Sequence, residues 1–191
     1  MKETTRLAIL YGSTREGRLC DRVVNWVVRE LANDPLVEID RIDPLEFGLP
    51  DRHDGSHPAV EPLAVRLTAA DAFIIVTPEY NHSFTGSLKS VLDLVYEPWQ
   101  AKPVAFVSYG GISGGLRAVE QLRLVFAELH AVTLRDTVSF ANPWGRFTED
   151  GVLQDPGDAP QSLRRMMARL HWWSDALKPA RRIHPYRNIA A

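Results

Sequence analysis

The sequence predicts an α/β protein with a central parallel sheet covered by helices on both faces. Five apolar runs of strand length recur along the 191 residues, and segments with the periodicity of amphipathic helices lie between them. Two of the runs, AFIIV (72–76) and PVAFVSY (103–109), are apolar throughout, as strands covered on both faces are. Five such strands with right-handed crossovers favour a sheet in the order 2-1-3-4-5.

The remaining elements follow from the same patterns. The other predicted strands are LAILY (7–11), LVEIDRI (36–42) and VTLRDTVSF (132–140). Helices are predicted over 18–33, 61–70, 86–95, 115–130 and 162–178. The apolar stripe of the first helix consists of Cys20, Val23, Val24, Val27, Val28 and Leu31. Trp26 falls outside this stripe, and Trp172 and Trp173 are adjacent, so we interpret these tryptophans as an oligomer interface, with core packing as the alternative.

The composition predicts one soluble globular domain over residues 1–191. Hydrophobic residues make up 45% of the chain and charged residues 24%, both ordinary values for such a domain. A net charge of −2 argues against nucleic-acid binding. Cys20 is the only cysteine, which excludes an internal disulfide and favours a cytoplasmic location. No apolar stretch approaches the roughly 20 residues that cross a bilayer, so we expect no membrane association.

Three connections contain unusual residues, and the predicted topology brings them together. They are GSTREGR (12–18), TPEYNHSFTG (77–86) and YGGISGG (109–115), which follow the first, third and fourth strands. Ligands of open α/β sheets bind beyond the carboxyl ends of the strands where the strand order reverses, which here lies between the first and third strands. We therefore expect one binding site formed by these three loops.

The first loop has the chemistry of a phosphate site. It offers the hydroxyls of Ser13 and Thr14, the guanidinium groups of Arg15 and Arg18, and the free N–H groups of a helix start. Gly12 and Gly17 have the spacing of a nucleoside-triphosphatase loop, but Arg18 and Leu19 replace its Lys and Ser or Thr. The loop therefore favours a single terminal phosphate, and an arginine-rich surface turn is the alternative.

The other two loops suit a flat ligand. Tyr80 could pack against a planar ring, and four glycines in 110–115 allow the backbone to lie close to it.

GISGG (111–115) also matches the G-x-S-x-G pattern of serine hydrolases, with Ser113 as nucleophile. Its partners would come from Asp150, Asp155 or Asp158 and from His171 or His184. The absence of an upstream oxyanion segment disfavours this alternative. His53 and His57 lack a well-spaced third ligand, so we expect no metal site.

The three loops together resemble the NADPH-dependent FMN reductase family, which includes flavodoxin-like quinone, azo-dye and chromate reductases. RFTEDGVLQD and the terminal HWWSDALK extend the resemblance over nearly the whole chain, and P-E-Y-N followed by a helix with an S-hydrophobic-K pattern is its most specific element. The resemblance implies a flavodoxin-like three-layer sandwich that binds FMN. It assigns Ser13, Arg15, Arg18, Leu19 and Cys20 to the phosphate, Pro78, Glu79, Tyr80 and Asn81 to the flavin ring, and Ser108, Gly110, Gly111 and Gly114 to the pyrimidine side of the ring.

The function implied by the resemblance is that of an NAD(P)H-dependent flavin oxidoreductase. NADPH or NADH would reduce FMN, and a small-molecule acceptor such as a quinone, a flavin or an azo compound would then reoxidise it in a ping-pong reaction. We expect Tyr80 or Trp99 to stack on the acceptor, no catalytic side chain as proton donor, and a homodimer or homotetramer. A non-enzymatic electron-transfer flavodoxin is the alternative, which two loop arginines and the weak net charge disfavour.

Overall fold

The computed structural model describes residues 3–189, whose strands form one parallel sheet in the order β2-β1-β3-β4-β5. The strands are β1 (Thr5–Tyr11), β2 (Val37–Ile42), β3 (Ala72–Pro78), β4 (Pro103–Gly110) and β5 (Val132–Ala141). The helices are α1 (Cys20–Leu31), α2 (Val60–Ala69), α3 (Gly86–Leu94), α4 (Leu116–Glu128) and α5 (Ala159–Ile183). The predicted strand order is confirmed. No helix within the described range is long and apolar enough to span a membrane.

Alternation along the strands divides the core between the two faces of the sheet. Leu7 and Ile9 pack with α1 and α5, whereas Ala8 and Leu10 pack with α2, α3 and α4. Every residue of β3 and β4 is buried, because helices cover both faces of these central strands. The result is the predicted three-layer sandwich of flavodoxin-like topology.

The last helix is longer than its periodicity predicts. It begins at Ala159, three residues before the predicted start, and continues through Pro179 to Ile183. Its extra turns are held by long-range contacts: Lys178 Nζ lies 2.8 Å from Asp71 Oδ2, and Arg181 donates a 2.6 Å hydrogen bond to the carbonyl of Ala101. Tertiary contacts at the amino end of the sheet thus offset the cost of an internal proline.

For Trp26 the interface interpretation is wrong, and the alternative of core packing is confirmed. Its side chain is only 1% exposed and packs edge-on against Phe140, with the ring centroids 5.1 Å apart. The connection after β5 covers the flank of α1 that the helical stripe leaves uncovered. Trp172 is exposed, whereas Trp173 packs partly against the core. Of the three tryptophans interpreted as an oligomer interface, only Trp172 is therefore fully available on the surface.

Candidate functional site

The three predicted loops meet at a cleft of about 440 Å³ at the carboxyl edge of the sheet. Its lining comes from residues 15–19 and 22, 78–80, 109–111, and 144 and 145. The first three groups lie at or beyond the carboxyl ends of β1, β3 and β4, as the sheet order requires. The fourth group, from the connection after β5, was not predicted to take part.

Gly12 brings the first loop against β3. Its N–H donates a 2.7 Å hydrogen bond to the carbonyl of Val76, and its own carbonyl accepts a 2.6 Å bond from the hydroxyl of Thr85. A Cβ atom at Gly12 would lie 2.7 Å from the Val76 oxygen, so only glycine fits here. The same Thr85 hydroxyl caps α3 by accepting from the N–H of Leu88. The first loop and the start of α3 are therefore fixed to each other.

Arg18 is committed to protein partners. Its guanidinium donates to the Ser13 carbonyl at 2.5 Å and to both carboxylate oxygens of Asp43, while Nε donates to Asp21 at 2.9 Å. Its Nη2 atom also forms an ion pair with the same Asp21 oxygen, at 2.8 Å. Burial lowers the pKa of Arg18, but its hydrogen bonds to Asp43 and Asp21 outweigh burial and raise it. Four of its five N–H donors are thus hydrogen bonded, and two carboxylates balance the charge.

The rest of the first loop keeps its anion-binding groups free. No hydrogen bond or ion pair of the Arg15 guanidinium occurs within residues 3–189, and this side chain is exposed. The backbone N–H groups of Cys20 and Asp21, at the start of α1, likewise make no hydrogen bond in that range. A twelve-residue helix with unpaired N–H groups and an adjacent arginine attracts a phosphate.

Ser13 and Cys20 are buried behind the first loop. The hydroxyl of Ser13 accepts from the N–H of Arg15 and lies 3.4 Å from the hydroxyl of Tyr80. The thiol of Cys20 donates to the Val76 carbonyl at 3.5 Å. Burial raises the pKa of Cys20 to about 12, so it remains a thiol at neutral pH. Cys20 can contribute its backbone N–H to the site but not a nucleophile.

A two-residue turn presents Tyr80 to the cleft. The backbones of Tyr80 and Ser83 exchange hydrogen bonds of 2.9 and 3.0 Å, and Asn81 and His82 between them have φ values of 49° and 71°. Positive φ at both central residues is the geometry of a type I′ turn, which asparagine tolerates well. Asn81 is exposed on this turn, so its residue type fits a structural need here.

Glu79 joins the second loop to the third. Its carboxylate accepts hydrogen bonds from the hydroxyl of Ser113 at 2.6 Å, the N–H of Arg117 at 3.2 Å and the guanidinium of Arg117 at 3.0 Å. Burial raises the pKa of Glu79, but these donors outweigh burial and lower it. Glu79 is therefore ionised, and its hydrogen bonds link the loop after β3 to the loop after β4.

The hydrolase alternative for Ser113 is wrong. The Ser113 hydroxyl donates to Glu79, and the cleft lining contains no histidine. His171 bonds instead to Asp34 at 3.2 Å and to Thr5 at the amino end of β1. Asp150 pairs with Arg29 on α1. Within residues 3–189 no Ser-His-Asp arrangement forms around Ser113, because His171 lies at the amino end of the sheet, opposite the cleft. The described residues also contain no group of three or more His, Cys, Asp or Glu side chains that could hold a metal ion.

Ser108 and Gly114 lie beneath the cleft. The hydroxyls of Ser108 and Ser139 each donate a 2.9 Å hydrogen bond to the carbonyl of Gly114. Gly114 has φ +62°, and a Cβ there would lie 2.3 Å from the Ser139 hydroxyl. These two predicted residues thus fix the path of the third loop, while Gly110 and Gly111 form its surface in the cleft.

Trp99, predicted as a stacking residue, lies outside the cleft. It is fully buried on the α2–α4 face, with its ring centroid 4.7 Å from that of Phe73 and 5.6 Å from that of Phe126. Trp144, which was not predicted as a site residue, lines the cleft and is 67% exposed. The sequence signal that could have found it is the N-P-W-G turn directly after the last strand.

The fold is an α/β sandwich of flavodoxin-like topology, and its cleft lies where the strand order reverses, the place at which such folds bind ligands. Residues 5–145 match the model of the family described as NADPH-dependent FMN reductase. The chain is 33% identical to a probable NADPH:quinone oxidoreductase 2 of Oryza sativa subsp. japonica over 94% of both proteins. It is 35% identical to an NAD(P)H:quinone oxidoreductase of Solanum tuberosum, over 86% of this chain and 90% of that protein.

A solved structure shares the fold. The flavoenzyme NAD(P)H:(acceptor) oxidoreductase FerB from Paracoccus denitrificans superposes with a TM-score of 0.76 at 21% identity, over 91% of this chain and 99% of that one. The chain belongs to the NADPH-dependent FMN reductase family and is an NAD(P)H-dependent flavin oxidoreductase.

Proposed function

We propose that the cleft binds FMN and that the enzyme uses NADPH or NADH to reduce a small-molecule acceptor, such as a quinone, a flavin or an azo compound, in a ping-pong reaction. One observation carries the proposal: an unpaired helix start and a glycine-lined wall share one cleft at the point where the strand order reverses. Its volume of about 440 Å³ suits a cofactor, since such sites span about 300–1,000 Å³.

The phosphate end of the site is the first loop. Arg15 supplies a free guanidinium, and Cys20 and Asp21 supply unpaired backbone N–H groups. Ser13 holds the backbone of Arg15 through its hydroxyl. Arg18 is held against Ser13, Asp21 and Asp43 by four hydrogen bonds. We therefore assign phosphate binding to Arg15 and the helix start, and loop positioning to Arg18.

The ring end of the site is formed by the other two loops. Pro78 and Tyr80 offer apolar surface, and Gly110 and Gly111 let the backbone approach closely. The N–H of Gly111 makes no hydrogen bond within residues 3–189 and is free for a ring acceptor atom. Glu79 fixes both loops through Ser113 and Arg117. When bound, FMN would accept a hydride from NAD(P)H and pass the electrons to the acceptor.

The proposed quinone acceptor is supported by the names of the relatives, which include quinone oxidoreductases. A homodimer or homotetramer remains a prediction. Exposed Ile112, Leu116 and Leu124 on and before α4 support it, and sedimentation equilibrium of the purified protein tests it.

Titration with matched flavins tests the proposed function. FMN should lose its fluorescence on binding, whereas riboflavin, which lacks the phosphate, should bind far more weakly. With FMN present, NADPH oxidation should depend on added quinone and give parallel double-reciprocal plots. Equal affinity for riboflavin and FMN would contradict the phosphate assignment, and intersecting plots would contradict the ping-pong order.

A further inference from the structure

Trp144 is displayed in the cleft by a tight turn. The N–H of Arg146 donates a 3.0 Å hydrogen bond to the carbonyl of Pro143, and Gly145 between them has φ +80°. This is the arrangement of a type II turn with Trp144 at its corner. Pro143 and Phe147 on either side are buried, yet the indole of Trp144 is exposed to the cleft.

The segment that carries Trp144 is fixed to the body of the protein. The ring of Phe147 lies in the core, 5.0 Å between centroids from Phe140. The backbones of Thr148 and Val152 hydrogen bond at 2.9 Å, and Gly151 lies against α1. Ligand-binding clefts are lined mainly by apolar and aromatic side chains in largely pre-formed positions, and Trp144 meets this description.

We infer that Trp144 is the platform on which the planar ring of the second substrate stacks, whether the nicotinamide of NAD(P)H or the ring of a quinone. The inference rests on the proposed function. The flavin ring is assigned to the loops after β3 and β4, and Trp144 comes from the separate connection after β5. Because its turn is already ordered, stacking on Trp144 immobilises no further protein segment. The residue would select substrates that carry a planar ring.

The experiment compares Trp144→Ala and Trp144→Phe with Trp172→Ala, all saturated with FMN. Trp172 is a matched control, because its side chain is 64% exposed on α5 and does not line the cleft. Three rates are measured in anaerobic stopped flow: reduction by NADPH, reoxidation by a methylated benzoquinone, and reoxidation by ferricyanide, which has no planar ring. The affinity for FMN is measured in parallel.

We expect Trp144→Ala to raise the concentration of NADPH, of benzoquinone or of both at half-maximal rate by roughly tenfold, the size of one lost aromatic stack. Ferricyanide reoxidation and FMN affinity should change less than twofold, and Trp144→Phe should restore most of the loss. Unchanged half-saturation for both ring substrates overturns the inference, as does an equal loss with ferricyanide or a loss of FMN affinity. Failure of the wild-type protein to bind FMN or to be reduced by NADPH would instead reject the proposed function.

Discussion

Two arginines in the first loop have opposite environments. Arg18 is nearly buried, with 7% of its side chain exposed, and donates to Asp43, Asp21 and Ser13. Arg15, three residues earlier, is exposed and makes no side-chain hydrogen bond within residues 3–189. A guanidinium that is already paired with two carboxylates gains little from a phosphate, whereas an unpaired one gains about 1.5–3 kcal/mol from a charge-assisted bond.

The two arginines should therefore respond differently to substitution. Arg15→Gln should weaken FMN binding by roughly 10- to 100-fold, the equivalent of one charged hydrogen bond, and leave the free energy of unfolding unchanged. Arg18→Met should lower the free energy of unfolding of the FMN-free protein by roughly 3 kcal/mol, because it leaves Asp43 without its partner. Flavin fluorescence titration and urea unfolding measure the two quantities.

Asp43→Asn is the control for this comparison, because it breaks the same ion pair from the other side. It should destabilise the protein as Arg18→Met does, by a smaller amount, since the amide can still accept one hydrogen bond. If the Arg18→Met protein unfolds like the wild type but cannot bind FMN, the assignment of Arg18 to loop positioning is wrong and Arg18 binds the phosphate.

At the scale of elements, the connection after β5 forms the fourth side of the cleft because it is packed onto α1. Arg29 pairs with Asp150 at 2.9 Å, and Arg22 donates to the carbonyl of Phe147 at 3.4 Å. The closest approach is at Gly151, where a Cβ would lie 2.5 Å from the Cβ of Asn25 and 2.8 Å from the N atom of Trp26. This contact also explains the burial of Trp26.

Two glycines of this connection allow the packing to be tested. Gly151 and Gly145 have nearly equal φ values, +82° and +80°, but nothing lies within 4 Å of a Cβ at Gly145. Gly145→Ala should lower the free energy of unfolding only by the backbone strain, about 1–2 kcal/mol. Gly151→Ala should cost a further 1–3 kcal/mol or so from overpacking against α1. Equal losses in urea unfolding would show that the connection is not tightly packed on the helix.

At the scale of the whole molecule, the two ends of the sheet have different roles. The carboxyl end holds the cleft, and the amino end is closed by charged groups of α5 and of the turn before β4. Lys102 is buried there and donates to the last-turn carbonyls of α2, Leu67 at 3.0 Å and Thr68 at 2.9 Å. Burial, aided by Arg181 and opposed by Asp71, lowers the pKa of Lys102 to about 7.

Lys102 should make stability depend on pH. Between pH 7 and the ordinary lysine pKa of 10.5, the unfolded chain holds a proton that the folded chain has lost, so the free energy of unfolding rises with pH. The slope is at most about 1.4 kcal/mol per pH unit, and the carbonyl acceptors, which favour the ammonium form, reduce it. The free energy of unfolding of Lys102→Met should lack this rise with pH.

Urea unfolding of both proteins between pH 7 and 9 measures the difference in slope. Above pH 9 the buried Cys20 acts in the opposite direction, because its folded pKa of about 12 exceeds the ordinary value of 9.0. Parallel pH profiles for the wild type and Lys102→Met would contradict the assignment of a depressed pKa to Lys102.

The sequence by itself determined the architecture of this protein and the location of its candidate site. Alternating and continuous apolar runs fix which residues face the helices, because periodicity is a local property of the chain. Glycines, hydroxyls and arginines in three loops then indicate a ligand, since parallel strands bring those loops to one edge. Of the predicted positions, Arg15, Arg18, Leu19, Pro78, Glu79, Tyr80, Gly110 and Gly111 accordingly line the cleft.

Only the tertiary structure decided which of those side chains are free to bind. Arg18 is neutralised by Asp43, 25 positions along the chain, and Trp26 is covered by a segment more than 100 residues away. Trp144 lines the cleft because the connection after β5 packs beside it, whereas Trp99 packs against Phe73 in the core. Burial and ion pairing depend on contacts between residues remote in sequence, and no local pattern encodes such contacts.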